Sequence, residues 1–185
     1  MSEAEVRFVV SSVLQYDLAP PSGDYSSYDY GVSVGQKLDP EAVVPLIIEC
    51  LIALPSGLAE SFIEGVLEGA TVPHLEDPLI DVVSRVREVS SAGVVVDLLV
   101  GQCGVRPTEL ATRLLTRMRD PTDPNQQNRL AYAVYSTFRR DTGGGATPSG
   151  STQEGVLDCL IEEVAASATL TDYARDILNS CRRGK

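Results

Sequence analysis

Three Asp-Pro pairs constrain this chain most: Asp39-Pro40, Asp77-Pro78 and Asp120-Pro121, with Asp123-Pro124 just after the last. Asp suits the residue before a helix, where its side chain can accept from first-turn amides. Pro suits the first helical position, where no backbone donor is needed. Apolar residues at helical spacing follow the first two pairs directly. Val43, Val44, Leu46, Ile47, Cys50, Leu51 and Leu54 come after the first. Leu79, Ile80, Val82, Val83, Val86 and Val89 come after the second. The starts lie roughly 40 residues apart, and each opens what reads as helix, short turn, helix. Recurrence at that period predicts stacked helical hairpins.

The rest of the chain reads as helix too. Ser2 with Glu5 predicts a capping box for a helix to about Leu14, and Ser56 is expected to cap a helix to about Gly69. The helix from Asp77 is expected to close at Gly93. Val94–Val100 is rich enough in Val for a strand, but no second strand candidate exists to pair with it, so a short helix is expected. Pro107–Arg119 forms the next helix, and another runs to about Arg140. Ser151 with Glu154 predicts a second capping box, and a last helix spans about Thr171–Arg182.

Two stretches lose periodicity. Residues 17–38 carry Pro20, Pro21, Gly23, Gly31 and Gly35 among Tyr and Asp, and are expected to form a long loop. Residues 141–150 are Gly-rich and are expected to form a second. The fold class is therefore all-α: stacked helical hairpins in a short α-solenoid, or an irregular helical bundle, with about eight helices in one domain over 1–185. The segment Leu114–Pro121, followed by Arg129–Val134, resembles the turn and second-helix pattern of HEAT-type repeats, over about residues 38–140. That resemblance implies a stack of two-helix units.

Charge divides unevenly. The formal net charge of −11 resolves into −12 over residues 1–84, +4 over 85–140 and −3 over 141–185. An acidic chain of this kind is not expected to bind nucleic acid, which needs clustered Lys and Arg. The Arg-rich middle (Arg106, Arg113, Arg117, Arg119, Arg129, Arg139, Arg140) keeps that alternative open, or pairs with the chain's own acidic half. The N-terminus is acidic where a secretory signal is basic. The longest apolar run, Val43–Leu54, is too short for a membrane span of roughly 20 residues. A cytoplasmic protein without membrane contact is expected.

No catalytic pattern emerges. His74 is the single His and is expected to be a surface or capping residue in a turn. Gly143-Gly144-Gly145 lacks the Lys-Ser/Thr ending of a phosphate loop. Cys50, Cys103, Cys159 and Cys181 show no metal or redox spacing and are expected to be free, buried thiols. No metal and no cofactor are expected. The most suggestive residues are Asp24, Tyr25, Tyr28, Asp29 and Tyr30 in the 17–38 stretch, with Glu60, Glu64 and Glu68 as an acidic line at four-residue steps. Tyr gives rigid contact area with a polar tip, and the carboxylates would suit a basic surface.

The expectation is a non-enzymatic protein–protein interaction module that meets a basic protein partner through its acidic N-terminal half. An inhibitor or immunity-type protein is one version, and an adaptor or a homo-oligomer is compatible. One alternative is a small-molecule-binding protein or enzyme with a pocket between apolar helices. Another is a nucleic-acid binder using the Arg-rich middle.

Overall fold

The computed structural model describes residues 2–18, 26–70, 74–119, 123–141 and 152–183, and every regular element among them is an α-helix. Ten helices are described: α1 (Glu3–Leu18), α2 (Ser27–Gly35), α3 (Pro40–Ala53), α4 (Ser56–Gly69), α5 (Glu76–Val82), α6 (Ser91–Gly101), α7 (Pro107–Arg117), α8 (Pro124–Asp141), α9 (Thr152–Ala165) and α10 (Asp172–Arg183). They pair in chain order as five hairpins. First helices pack on first helices, α1 on α3, α3 on α5 and α7 on α9. Second helices pack in an unbroken row, α2 on α4, α4 on α6, α6 on α8 and α8 on α10. This is a stacked-hairpin architecture of the expected class, with one apolar seam between two helical layers. Leu46, Leu51, Phe62, Leu79, Leu99 and Leu114 are fully buried along that seam.

Local chemistry sets the ends of the helices. At α1 the Ser2 amide donates to the Glu5 carboxylate at 2.6 Å, and the Glu5 amide donates to Ser2 Oγ at 3.4 Å. The expected capping box is present. Asp39 occupies the N-cap of α3 but its side chain accepts no capping hydrogen bond. The first-turn amide of Ala42 is satisfied by the Asp39 carbonyl at 2.8 Å instead. Ser56 is not the cap of α4 either. Pro55 holds that position, and Ser56 sends its amide to the Glu88 carboxylate, 3.3 Å away in the next hairpin.

Residues 17–38 are not one loop. α1 continues to Leu18, and Ser27–Gly35 forms α2. Ser26 and Asp29 make a full capping box, with Ser26 N to Asp29 Oδ2 at 2.9 Å and Asp29 N to Ser26 Oγ at 3.2 Å. The glycines that suggested a loop are there for packing. α2 and α4 lie parallel, with Ser27 against Ser61 (Oγ to Oγ 2.8 Å), Gly31 against Gly65 and Gly35 against Gly69. Both helices carry Ser-x3-Gly-x3-Gly, and backbone touches backbone. A Cβ on Gly31 would stand 2.3 Å from the Phe62 carbonyl oxygen, and one on Gly65 would stand 2.1 Å from that of Tyr28. Such approach needs residues without a Cβ.

Two further expectations change. The helix from Asp77 ends at Val82, and the chain turns through residues 83–90 before α6. Backbone polar groups pin that turn: Arg87 N donates to Leu51 O at 3.1 Å and its guanidinium to Ala53 O at 2.7 Å. Gly93 therefore lies inside α6 rather than closing a helix, and Val94–Val100 is helical. The Asp120-Pro121 pair lies outside the described residues. Asp123 does the capping, its Oδ1 accepting from the amides of Asn125 and Gln126 at 2.9 and 3.1 Å. That start, Asp123-Pro124, opens α8, the second helix of its hairpin, and so is out of phase with the pairs at Asp39 and Asp77, which stand at the starts of first helices. Asp24, Tyr25, Ser151 and the Gly-rich residues 142–150 also lie outside the described residues.

Candidate partner-binding face

The row of second helices presents one side to the core and the other outward. Glu60, Glu64 and Glu68 are exposed on α4. Tyr28 of α2 donates its hydroxyl proton to the Glu68 carboxylate. That bond, with Glu64 and Asp29 nearby, holds the Tyr28 hydroxyl above its ordinary pKa. The Ser26 hydroxyl and amide hold Asp29 below the usual carboxylate range. Tyr28, Asp29, Glu64 and Glu68, distant in sequence, thus form one acidic cluster. Tyr30 is directed elsewhere. Its ring meets Phe62 at a centroid distance of 5.7 Å, and it packs against the core.

Glu60 leads from this cluster into a cleft across three consecutive second helices. Ser56, Gly57 and Glu60 come from α4; Ser90, Gly93, Val94 and Asp97 from α6; Tyr132, Tyr135, Ser136 and Arg139 from α8. Its volume is about 340 Å³. The absent side chain at Gly93 lets α8 come close, since a Cβ there would stand 3.3 Å from the Tyr132 ring and 3.4 Å from Ser136 Oγ. Tyr132 and Tyr135 lie with centroids 6.1 Å apart, and the Arg139 guanidinium carbon sits 6.0 Å above the Tyr135 ring. Tyr173 of α10, exposed, continues the row: burial and then the neighbouring Tyr132 raise its hydroxyl pKa. Tyr132 and Tyr135 were not singled out from sequence. Their signal is a Tyr pair at i, i+3 beside Arg139 on the polar side of an amphipathic helix.

Four arginines of the Arg-rich middle, Arg113, Arg117, Arg119 and Arg129, are engaged within the molecule. Arg113 of α7 reaches Glu76 and, at 2.9 Å, Asp77 at the start of α5. Arg117 pairs with Asp81, and Arg119 with Glu163 of α9. Arg129 directs its guanidinium to the carbonyls of Ser84 and Arg87, at 3.5 and 3.3 Å. The contacts of Arg113, Arg117 and Arg119 tie neighbouring hairpins together along the first-helix layer, and those of Arg129 tie α8 to the turn before α6.

His74 is exposed just ahead of α5. The four cysteines are free, and they differ in surroundings: Cys50 and Cys181 are buried, Cys103 is half-buried and Cys159 is exposed, against the expectation that all are buried. Cys159 is exposed on α9, which packs on α7 and α10 through its other residues. Among the described residues no group of three or more His, Cys, Asp or Glu side chains is placed to hold a metal ion. No described helix is long and apolar enough to cross a membrane.

No family model, no curated protein and no solved structure matches this chain.

Proposed function

We propose that the protein is a non-enzymatic binding module that meets a basic protein partner on the outer side of its second helices. An inhibitor or immunity-type protein covering a basic toxin or enzyme is the specific form this reading favours. The observation that carries it is the assembly of half-buried Tyr28 and Asp29 with exposed Glu64 and Glu68, from two helices, into one acidic cluster, with Glu60 one turn along α4 lining the Tyr-bearing cleft. Stacked hairpins offer long, rigid surfaces of this kind. Complementary charge on such a surface speeds encounter and selects partners by sign. Arg113 and Arg117 of α7, and Arg119 just after it, have intramolecular carboxylate partners, which supports placing the contact on the acidic face rather than on the Arg-rich middle.

Deleting residues 20–34 would remove most of α2 and strip the packing from α4, so charge reversal is the better test. The pair Glu64→Lys and Glu68→Lys changes exposed side chains only. Affinity capture from the source cell should retain one stoichiometric basic protein on the wild type. The doubly reversed variant, with an unchanged melting curve, should bind it at least about tenfold more weakly. Equal retention by both, or retention of an acidic protein, would contradict the proposal.

A further inference from the structure

The cleft between α4, α6 and α8 is more specific than an acidic surface. Its volume of about 340 Å³ is at the lower end of ligand pockets, and two Tyr rings and two carboxylates, Glu60 and Asp97, share it. Aromatic faces and carboxylates together favour a cation, the ring through its quadrupole and the carboxylate through charge-assisted hydrogen bonds. The molecule already places a guanidinium in this setting, that of Arg139 over Tyr135. A planar guanidinium stacks on Tyr and can bond a carboxylate through two parallel donors, whereas an ammonium offers only a point charge.

We propose that this cleft receives an arginine side chain from a basic polypeptide partner, and that Arg139 occupies the site of that side chain until the partner displaces it. The proposal rests on the reading that the partner is basic, and it adds the place and the residue type. Asp97 and Glu60 bind the incoming guanidinium, and Tyr132 and Tyr135 form the stacking walls. Gly93 keeps α6 low enough for the rings to flank the cleft.

The test uses the full chain and a fluorescein-labelled Arg-Gly nonapeptide, with Lys-Gly and Glu-Gly peptides for comparison, read by anisotropy at low salt. The Arg peptide should bind several-fold more tightly than the Lys peptide, and the Glu peptide not at all. Asp97→Asn and Tyr132→Phe should each weaken it, and Tyr132→Ala by at least tenfold. Arg139→Ala should tighten it several-fold, because the resident cation is gone. The Phe variant keeps the packing of Tyr132, so a folding defect in the Ala variant leaves the proposal testable. Unchanged binding in the Asp97 and Tyr132 variants, or weaker binding on Arg139→Ala, overturns it. Loss on Glu64→Lys with Glu68→Lys but not on the cleft substitutions removes the cleft and leaves the acidic-face reading. Loss on neither removes both.

Discussion

Replacing Gly65 by Ala should separate α2 from α4. The new Cβ would stand 2.1 Å from the Tyr28 carbonyl oxygen, where ordinary contact begins at 3.4 Å. The obstacle is backbone inside a helix and cannot rotate aside, so α2 must retreat by more than 1 Å. A gap of that size forfeits a quarter to half of each dispersion contact across it, about 0.1 kcal/mol per atom pair and many pairs. It also loosens the Ser27–Ser61 hydrogen bond and the Tyr30–Phe62 ring contact. Overpacking of this kind costs roughly 3 kcal/mol at the upper end of its usual range. Ala in place of Gly in a helix returns about 1 kcal/mol. The net loss is therefore about 2 kcal/mol, or a fall in Tm of roughly 4–8 °C for a chain of this length. Gly155→Ala is the matched control, because a Cβ at that helical glycine meets nothing within 4 Å. It should raise stability by up to about 1 kcal/mol. Urea denaturation followed by far-UV circular dichroism measures both, with amide exchange reporting whether the loss is confined to α2. Gly31→Ala added to Gly65→Ala should cost less than the sum of the single changes, since one separation relieves both clashes. A Gly65→Ala variant as stable as the wild type would refute the close parallel pairing of α2 and α4.

Gln127 is buried and bridges the last two hairpins, donating to Thr169 O at 3.1 Å and accepting from Thr171 N at 3.0 Å. Gln127→Ala should cost about 2–3 kcal/mol in urea denaturation, because two backbone groups lose their partner. Asp29 is held below its ordinary pKa of 3.8 by Ser26, so its contribution is present above that pH and is lost as pH falls through the depressed value. Asp29→Asn should flatten the acid limb of the stability profile below about pH 4; an unchanged limb would contradict the role of the capping box. A thiol reagent at mildly alkaline pH should label exposed Cys159 first and Cys103 next. Burial pushes the Cys181 thiol up to about 11 and raises Cys50 further, so both should react only on unfolding.

The helical class and the hairpin layering were legible in sequence because both depend on local signals, Asp-Pro starts and apolar residues at helical spacing. The seam residues were legible for the same reason: Leu46, Leu51, Phe62, Leu79 and Leu114 are buried as their periodicity predicts. The misread elements all involve glycine or continuity. Gly31 and Gly35 look like loop residues in isolation, and only their pairing with Gly65 and Gly69 reveals a helix contact. Ser26 and Asp29 have the spacing of a capping box, a helix signal of which the loop expectation for residues 17–38 took no account. Val82, Val83, Val86 and Val89 keep helical spacing across residues 83–90, so periodicity could not show that the chain turns there. Gly93 reads as a stop, yet α8 lies against it. The cleft was illegible for a different reason. Glu60, Asp97 and Tyr132 meet only through the order in which three second helices stack, which no local pattern encodes.

The most direct test of the binding face is an NMR titration of the assigned protein with the Arg-Gly peptide. Shifts clustered at Tyr28, Glu64, Glu68, Asp97, Tyr132 and Tyr135, along the outer side of the second helices, are the predicted result. Shifts confined to the first helices α1, α3, α5 and α7, or no saturable shifts at all, would contradict the account.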